Sequence, residues 1–258
     1  MVGMNFFSSK SAAERYAKGR PNVQAAAIRT FKEFAKIKEP FKRCLDVGCG
    51  TGLSSVAVAE ICESVIGIDC SEAMLAQAQR HPRVHYIDSP AENLPFAESH
   101  FDLISVGLAM HWLDQPAFLK EAERVLMLGG WLVIYNNEFR NQMKENPKFT
   151  DWFENSFLNR YPNPPRKNEL TFDEKLVGDG LESVGNGEFT NDIHMSHEQF
   201  VAYLTSQSNI IAKVEQGSER IEAVEEWLMD STRKFFENIK SGTFLFRGGI
   251  WYVRKRDN

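Results

Sequence analysis

The stretch RCLDVGCGTG, residues 43–52, places three glycines directly behind a short apolar run that contains one acid. Glycine adopts left-handed backbone angles readily and lets a ligand approach the backbone closely. A strand, a glycine-rich turn and the start of a helix together expose free backbone amides, which bind anionic or nucleotide ligands. The stretch therefore predicts a strand over 44–47, a helix over 53–62 and a nucleotide-type site between them.

Short apolar segments alternate with amphipathic segments from residue 43 to residue 135. The pattern predicts further strands over 64–69, 84–87, 101–106 and 131–135, and helices over 72–80 and 116–126. Near-continuous apolar strands separated by helices indicate a parallel sheet that is covered on both faces. We therefore predict an α/β fold with a doubly wound, mostly parallel, Rossmann-like sheet.

The remaining sequence suggests one domain, 1–258, in which other segments surround this core. The predicted parts are an N-terminal helical lid (1–40), a cofactor-binding core (43–135), an inserted helical cap (136–182) and C-terminal helices and strands that complete the sheet (183–258). The cap is predicted because its sequence is polar, aromatic and proline-rich, which is atypical of a second sheet.

Composition narrows the class of protein. The chain has 258 residues, with 30 basic and 35 acidic side chains and a net charge of −5. This balance argues against a broad nucleic-acid surface, which needs a concentrated basic face. No apolar run is long enough to span a bilayer, and the first twenty residues lack a signal-peptide core. We expect a cytoplasmic protein, either a monomer or a homodimer, with no membrane or nucleic-acid partner.

The cysteines and histidines do not suggest a metal site. Cys44, Cys49, Cys62 and Cys70 lack the spacing of a zinc site and are expected to be small thiols, free and buried, in a reducing compartment. His194 and His197 lie close in sequence, but no third ligand joins them at a suitable spacing. No metal is predicted.

Two acids indicate what the glycine turn binds. Asp69 ends the second predicted strand, where its carboxylate can accept hydrogen bonds from both ribose hydroxyls of an adenosine. Asp46 stands two residues before the first glycine, where it would repel a pyrophosphate and favour an ammonium or a sulfonium. The third glycine also comes one residue too early for the dinucleotide fingerprint G-x-G-x-x-G. The position of Asp46 and the glycine spacing therefore argue against a nicotinamide-dependent oxidoreductase, which is kept as one alternative function.

The motifs LDVGCGTG, VIGIDCSEAMLAQA, AENLPF, FDLISVGLAMHW and RVLMLGGWLVIY occur in this order between residues 43 and 135. Together they resemble the class I S-adenosylmethionine-dependent methyltransferases. The segment ERYAKGRP resembles the Tyr-x-x-x-Arg-Pro entry of small-molecule members of this class. HW at 111–112 and FVAYLTSQS at 200–208 resemble, more weakly, the subgroup that includes trans-aconitate methyltransferases. The resemblance implies S-adenosylmethionine as the cofactor.

The resemblance also implies which residues contact the cofactor. They are Tyr16, Arg20, Asp46, Gly48, Cys49, Gly50, Asp69, Cys70, Met74, Ala91, Glu92, Val106 and Gly107. Asp69 would hold the ribose, Arg20 would meet the methionine carboxylate, and Ala91 would read the adenine edge. Pro90 departs from the family pattern, because many members carry an acid there to bind the adenine amine; Asp88 or Glu92 could take its place.

The acceptor side is predicted from the segment after the fourth strand. Methyl transfer is an in-line displacement, so alignment accounts for much of the acceleration. His111 is the nearest base for a hydroxyl or amine acceptor, and it could instead only line the acceptor or serve a structural role. Trp112 and Tyr135 are the other predicted acceptor contacts. The expected reaction is methyl transfer to a small molecule at oxygen, with a carboxylate as one form; a non-catalytic adenosine-ligand sensor is the second alternative.

Overall fold

The computed structural model describes residues 7–164 and 172–257, and the chain divides into two compact units. The core unit comprises Val23–Asn137, Arg166–Phe189 and Gly248–Asn258, and the second unit comprises Met1–Asn22, Glu138–Pro165 and Thr190–Arg247. This division differs from the predicted segments, because parts of the predicted cap, 136–182, fall into both units. The predicted lid and cap remain predictions.

Helices and strands alternate regularly only in the core unit. The helices are α1 (Lys10–Gly19), α2 (Gln24–Phe34), α3 (Leu53–Val58), α4 (Glu72–Leu75), α5 (Gln115–Val125), α6 (Lys148–Trp152), α7 (Leu158–Arg160), α8 (His197–Thr205), α9 (Ser208–Glu215) and α10 (Ile221–Thr232). The strands are β1 (Phe41–Val47), β2 (Cys62–Asp69), β3 (Val84–Asp88), β4 (Phe101–Gly107), β5 (Leu126–Tyr135), β6 (Glu138–Met143), β7 (Leu181–Met195) and β8 (Gly242–Lys255). A π-helical stretch, Phe153–Phe157, joins α6 to α7.

The sheet of the core unit has the strand order β3-β2-β1-β4-β5-β8. The first five strands are parallel, and β8 runs antiparallel to β5. The predicted α/β fold with a mostly parallel sheet is confirmed. The direction of winding changes between β1 and β4, and in such sheets ligands bind at the carboxyl ends of the strands beside this point.

Two apolar clusters cover the faces of this sheet. One contains Phe118 and Leu119 of α5, and the other contains Ile28 and Phe31 of α2. Each of these four side chains is at most 3% exposed. Burial of such side chains contributes roughly 1.5–3 kcal/mol each, so the two clusters fix the sheet that positions the glycine turn.

The second unit has an aromatic core and its own strand pairing. Phe200 stacks on Phe244 with ring centroids 4.4 Å apart, and Phe149 meets both rings edge-on. β6 pairs antiparallel with the first half of β8, as in the alignment of Phe139 with Phe246. The interpretation of 136–182 as a segment without sheet structure is therefore wrong for the residues of β6.

A disulfide links β1 to β2, so the prediction of four free thiols is wrong for one pair. Cys44 and Cys62 are bonded, with Cα atoms 6.4 Å apart, and both are completely buried. The two cysteines lie on neighbouring strands of the sheet, and the parallel register pairs Phe41 with Cys62 and Cys44 with Val65. Cys49 and Cys70 are free thiols; Cys49 is buried and Cys70 is exposed.

The described residues contain neither a candidate membrane span nor a candidate metal cluster. Across residues 7–164 and 172–257, no helix has the length and apolar character needed to cross a membrane. In the same two stretches, no group of three His, Cys, Asp or Glu side chains is arranged to hold a metal ion.

Candidate functional site

The glycine turn links β1 to α3 at the carboxyl edge of the sheet. Gly48, Gly50 and Gly52 have φ angles of +66°, +52° and +79°. A Cβ on Gly48 would lie 2.4 Å from the Cβ of Ala109, and one on Gly52 would lie 2.2 Å from the Tyr86 hydroxyl. The left-handed backbone angles favour glycine at all three positions, and the close packing excludes a side chain at Gly48 and Gly52.

Asp69 lies at the carboxyl end of β2 and holds the turn in place. Its Oδ2 accepts a hydrogen bond from the Gly50 amide at 2.8 Å, and its Oδ1 accepts one from the Ser71 amide at 2.9 Å. Burial raises the pKa of Asp69, and the two backbone N–H donors oppose that rise. Each carboxylate oxygen has a second lone pair, so two further donors, such as ribose hydroxyls, can still be accepted.

Asp46 is a buried acid behind the turn. Its side chain is completely buried, and its Oδ2 accepts hydrogen bonds from the hydroxyls of Ser54 and Ser55, both at 2.6 Å. Its Oδ1 has no hydrogen-bond partner in the described part of the chain, although the nearby Ser105 hydroxyl lowers the pKa of the group. Burial outweighs all three hydroxyls and raises the pKa of Asp46 to about 6.

Three acidic side chains influence one another around the glycine turn. Asp69 raises the pKa of Asp46, and Asp88, its register partner at the end of β3, raises the pKa of Asp69. Acids are the only charged groups among the main causes of the pKa shifts of Asp46 and Asp69. The arrangement suits a ligand that brings positive charge, and it disfavours a pyrophosphate.

The predicted adenine contacts lie beside the turn. The Met74 Sδ-methyl group would be 3.1 Å from a Cβ on Gly50, and Met74 and Ala91 are both buried. Glu92 is engaged elsewhere, because its Oε1 accepts the Asp114 amide at 2.9 Å. This contact ties the Ala91–Glu92 segment to the segment of His111 and leaves the exposed Asp88 as the better substitute for the acid missing at Pro90.

A salt bridge that the sequence analysis overlooked holds the AENLPF segment. Arg124 on α5 bonds Glu121 at 2.7 Å and donates to the carbonyls of Leu94 and Phe96 at 2.9 and 2.7 Å. Glu121 in turn accepts the Leu94 amide at 2.7 Å. The only sequence signal is the i, i+3 spacing of an acid and a base, which is too common in helices to single out this pair.

The predicted acceptor contacts follow β4. Val106 and Gly107 are buried at its end, and Leu108 has a left-handed φ of +58°, which is costly for a non-glycine residue. This turn leads into a short 3₁₀ helix, Met110–Trp112. The rings of His111 and Trp112 lie 4.8 Å apart between centroids, and Trp112 is 41% exposed.

The side chain of Tyr135, a predicted acceptor contact, is buried in the core unit. It is 2% exposed within the apolar cluster of α2, and its hydroxyl would be 2.4 Å from a Cβ on Gly107. The absent side chain of Gly107 thus makes space for the Tyr135 hydroxyl. The role of Tyr135 as an acceptor contact stays a prediction.

Tyr16 and Arg20 belong to the second unit. The Arg20 guanidinium lies 4.7 Å from the Tyr16 ring centroid and 5.6 Å from that of Tyr203, and it donates to the Ser206 carbonyl at 3.0 Å. Burial raises the pKa of Tyr203 to about 12, so its phenol is neutral at physiological pH. The contacts of Tyr16 and Arg20 with a cofactor stay predictions.

Arg160 and Arg166 lie in the predicted cap, 136–182, where an arginine could anchor an anionic acceptor. Arg160 forms an ion pair with Glu219 and lies 4.6 Å from the Trp227 ring centroid, so its charge is already engaged within the second unit. Arg166 lies outside the described residues.

Comparison with known proteins identifies the core. Residues 45–134 match the family model described as "Methyltransferase domain". This stretch of the core resembles a methyltransferase domain. It contains the glycine turn, Asp69 and the 3₁₀ helix of His111, and the resemblance to the class I S-adenosylmethionine-dependent methyltransferases is confirmed. The family and the fold imply S-adenosylmethionine as the cosubstrate, whereas the trans-aconitate subgroup stays a prediction.

Curated relatives match over the same region. A malonyl-[acyl-carrier protein] O-methyltransferase of Enterobacter lignolyticus is 41% identical over 98 residues, 36% of this chain and 38% of its own length. A demethylmenaquinone methyltransferase of Renibacterium salmoninarum is 36% identical over 97 residues, 37% of this chain and 41% of its own length. The chain covers less than half the length of the curated relatives it matches.

Solved structures share the fold over most of the chain. A candidate type II methyltransferase from Anaeromyxobacter dehalogenans has a TM-score of 0.70 at 23% identity, covering 93% of this chain and 99% of that one. The [4+2]-cyclase SpnF has a TM-score of 0.52 at 19% identity, covering 93% of this chain and 85% of that one. These similarities concern the fold alone.

Proposed function

We propose that this protein transfers a methyl group from S-adenosylmethionine to a small-molecule acceptor, with an oxygen as the methylated atom. The observation that supports this most directly is the pairing of Asp46 with the left-handed glycine turn. Asp46 presents a buried carboxyl oxygen that has no hydrogen-bond partner in the described residues, and the charge among the main influences on its pKa is that of another acid, Asp69. A ligand with a sulfonium and an ammonium supplies the missing positive charge.

The residues around the turn fit the parts of S-adenosylmethionine. Asp69 can accept the ribose hydroxyls while it holds Gly50, and Met74 and Ala91 offer apolar walls for an adenine. Gly48 has a φ of +66° and packs directly against Ala109, so it gives the turn the left-handed shape along which the methionine part of the cosubstrate would run. The bound cosubstrate supplies an electrophilic methyl group on a positively charged sulfur.

The chain's own contribution to the reaction is alignment. The left-handed turn at Leu108 directs the chain into the 3₁₀ helix of His111 and Trp112, and the Glu92–Asp114 hydrogen bond fixes the far end of this helix. If the methylated group is a hydroxyl, His111 accepts its proton; if it is a carboxylate, His111 only positions it. Proximity of this kind can contribute a large share of the rate enhancement.

A second candidate function follows from the shared fold. The cyclase SpnF has the same architecture, so a chain with this fold can carry a different activity. In that case the protein would bind S-adenosylmethionine without transferring its methyl group.

One experiment separates the two functions. The purified protein is incubated with S-adenosylmethionine labelled with tritium in its methyl group and with a small-molecule extract, and the label in the acceptor fraction is measured. Methyl transfer predicts label in that fraction together with an equal amount of S-adenosylhomocysteine. Binding of S-adenosylhomocysteine without label transfer would favour the second candidate. As a catalytic control, His111→Ala should lower the rate and leave the affinity for S-adenosylhomocysteine unchanged.

A further inference from the structure

Asn137 has a buried side chain with unused hydrogen-bonding capacity. It is 8% exposed, yet neither its Nδ2 nor its Oδ1 has a hydrogen-bond partner within the described stretches of the chain. Leaving a buried polar group unsatisfied destabilises a folded protein, and native structures keep few such groups without a reason. A ligand that completes these hydrogen bonds is one such reason.

The position of Asn137 is determined by its neighbours in the core unit. Asn136 bonds Gly249 twice, because its amide donates to the Gly249 carbonyl at 3.0 Å and its Oδ1 accepts the Gly249 amide at 2.7 Å. One residue earlier, the Tyr135 carbonyl accepts the Leu108 amide at 2.9 Å. These bonds join the end of β5 to β8 on one side and to the turn after β4 on the other, so Asn137 follows a fixed strand end.

This strand end lies at the edge of the sheet where the glycine turn is found. β5 is parallel to β4, and β4 is parallel to β1, so Asn137 comes after the carboxyl end of β5 as Gly48 comes after that of β1. In sheets of this type, ligands lie along the carboxyl ends of the strands. The glycine turn and Asp69 would hold the cosubstrate at the ends of β1 and β2. β4, whose end leads to His111, lies between β1 and β5.

We infer that Asn137 recognises the methyl acceptor through paired hydrogen bonds, an inference that rests on the proposed methyl transfer. A carboxamide offers one donor and one acceptor side by side. A neutral group with the complementary pair, such as a carboxamide, a lactam or a protonated carboxylic acid, gives each of these two atoms a hydrogen-bond partner. A carboxylate would satisfy only Nδ2 and would leave Oδ1 facing a like charge. The acceptor therefore carries such a neutral pair in addition to the atom that is methylated.

If Asn137 serves to recognise the acceptor, removing its polar group should affect recognition of the acceptor and should not lower the stability of the protein. Replacing Asn137 with the apolar, similarly shaped leucine removes both unsatisfied atoms, so stability should be equal to or higher than that of the wild type. Recognition of the acceptor should fall, because both hydrogen bonds are lost. A structural asparagine behaves in the opposite way.

Asn209 provides a matched control for this substitution. It is 2% exposed, its Nδ2 donates to the Tyr161 carbonyl at 2.8 Å and its Oδ1 accepts the Ile210 amide at 2.9 Å. Asn209→Leu therefore leaves buried groups without partners and should lower the urea midpoint. Asn137→Leu should leave that midpoint unchanged or raise it, and Asn137→Ala serves as a second variant in case leucine does not fit.

The functional test uses the tritium-labelled methyl donor with the small-molecule extract at a fixed dilution, alongside calorimetric titration with S-adenosylhomocysteine. Asn137→Leu and Asn137→Ala should reduce the initial rate of label incorporation about 10- to 100-fold and change the affinity for S-adenosylhomocysteine less than about twofold. Incorporation at the wild-type rate, a urea midpoint lowered as far as in Asn209→Leu, or a strongly weakened affinity for S-adenosylhomocysteine would each overturn the inference. Absence of incorporation by the wild type would instead contradict the proposed function on which the inference rests.

Discussion

Asp46 is completely buried behind the glycine turn, and burial raises its pKa more than its hydrogen bonds lower it, so its replacement by asparagine should stabilise the protein at neutral pH. Burial raises the pKa of this carboxyl group from 3.8 to about 6. The contribution of a group whose pKa is raised on folding is fully present below its unfolded pKa and is lost as the pH rises through its folded pKa. The free energy of unfolding should therefore fall between about pH 4 and pH 7.

The size of this effect follows from the shift. A change of one pKa unit corresponds to about 1.4 kcal/mol, so the shift of about two units lowers the stability of the wild type by about 3 kcal/mol across this range. Asparagine stays neutral and can still accept the hydroxyl hydrogen bonds of Ser54 and Ser55 through its oxygen. Asp46→Asn should therefore be more stable than the wild type at pH 8 and about equally stable near pH 4.

The assay is urea unfolding of both proteins at several pH values, with the difference between the two curves as the result. Asp69, whose pKa is also raised by burial, is present in both proteins and contributes to both curves. Asp230→Asn is the control for the change in net charge, since Asp230 is an exposed residue on α10. Exposed substitutions of this kind usually change stability by less than about 0.5 kcal/mol.

The same variant should bind the cosubstrate less tightly. A neutral amide cannot face an ammonium or a sulfonium as a carboxylate does, so S-adenosylmethionine should bind more weakly to Asp46→Asn at pH 8. Stability and affinity thus change in opposite directions. If the variant is less stable than the wild type at pH 8, or if the two unfolding curves stay parallel from pH 4 to pH 8, the account of Asp46 as an uncompensated buried acid is refuted.

Two further substitutions and the reduction of a disulfide test the turn and the sheet beneath it. Asp69→Ala should weaken S-adenosylhomocysteine binding in calorimetry by about 1.5–3 kcal/mol, and unchanged affinity in the folded variant would remove its ribose role. Gly52→Ala should lower the free energy of unfolding by about 2 kcal/mol, because the φ of Gly52 is +79° and a Cβ there would lie 2.2 Å from the Tyr86 hydroxyl. The double variant with Tyr86→Ala should recover part of this loss. Full stability of the single variant would contradict the geometry of the turn. The cysteines of the Cys44–Cys62 bond are 18 residues apart in sequence, so reducing this bond should lower the free energy of unfolding by about 3 kcal/mol. If four thiols can be alkylated in denatured protein that has not been reduced, the bond does not form.

The core of the fold could be predicted because its signals are local. Each parallel strand is an apolar run, and the glycines of the turn follow the first of them directly. β6 was missed because its sequence EFRNQM has no apolar alternation; it is a strand only because it pairs with β8, about a hundred residues later. Pairing at that separation leaves no trace in a short stretch of sequence.

Tertiary contacts also explain the other differences. The helix predicted over 72–80 ends at Leu75, since the Gln79 amide bonds the Thr51 carbonyl at 3.0 Å rather than continuing the helix. The disulfide requires the register of β1 against β2, which spacing alone does not give. The bond of Ser55 to Asp46 likewise depends on Gly67, where a Cβ would lie 2.7 Å from the Ser55 hydroxyl.

Calorimetric titration of the purified wild-type protein with S-adenosylhomocysteine, with NADH as the comparison ligand, tests the central claim most directly. An acidic glycine turn that accepts an adenosine bearing positive charge predicts a dissociation constant for S-adenosylhomocysteine in the micromolar range and no detectable binding of NADH. Folded protein that binds neither S-adenosylhomocysteine nor S-adenosylmethionine at millimolar concentration, or that binds NADH more tightly, would contradict it.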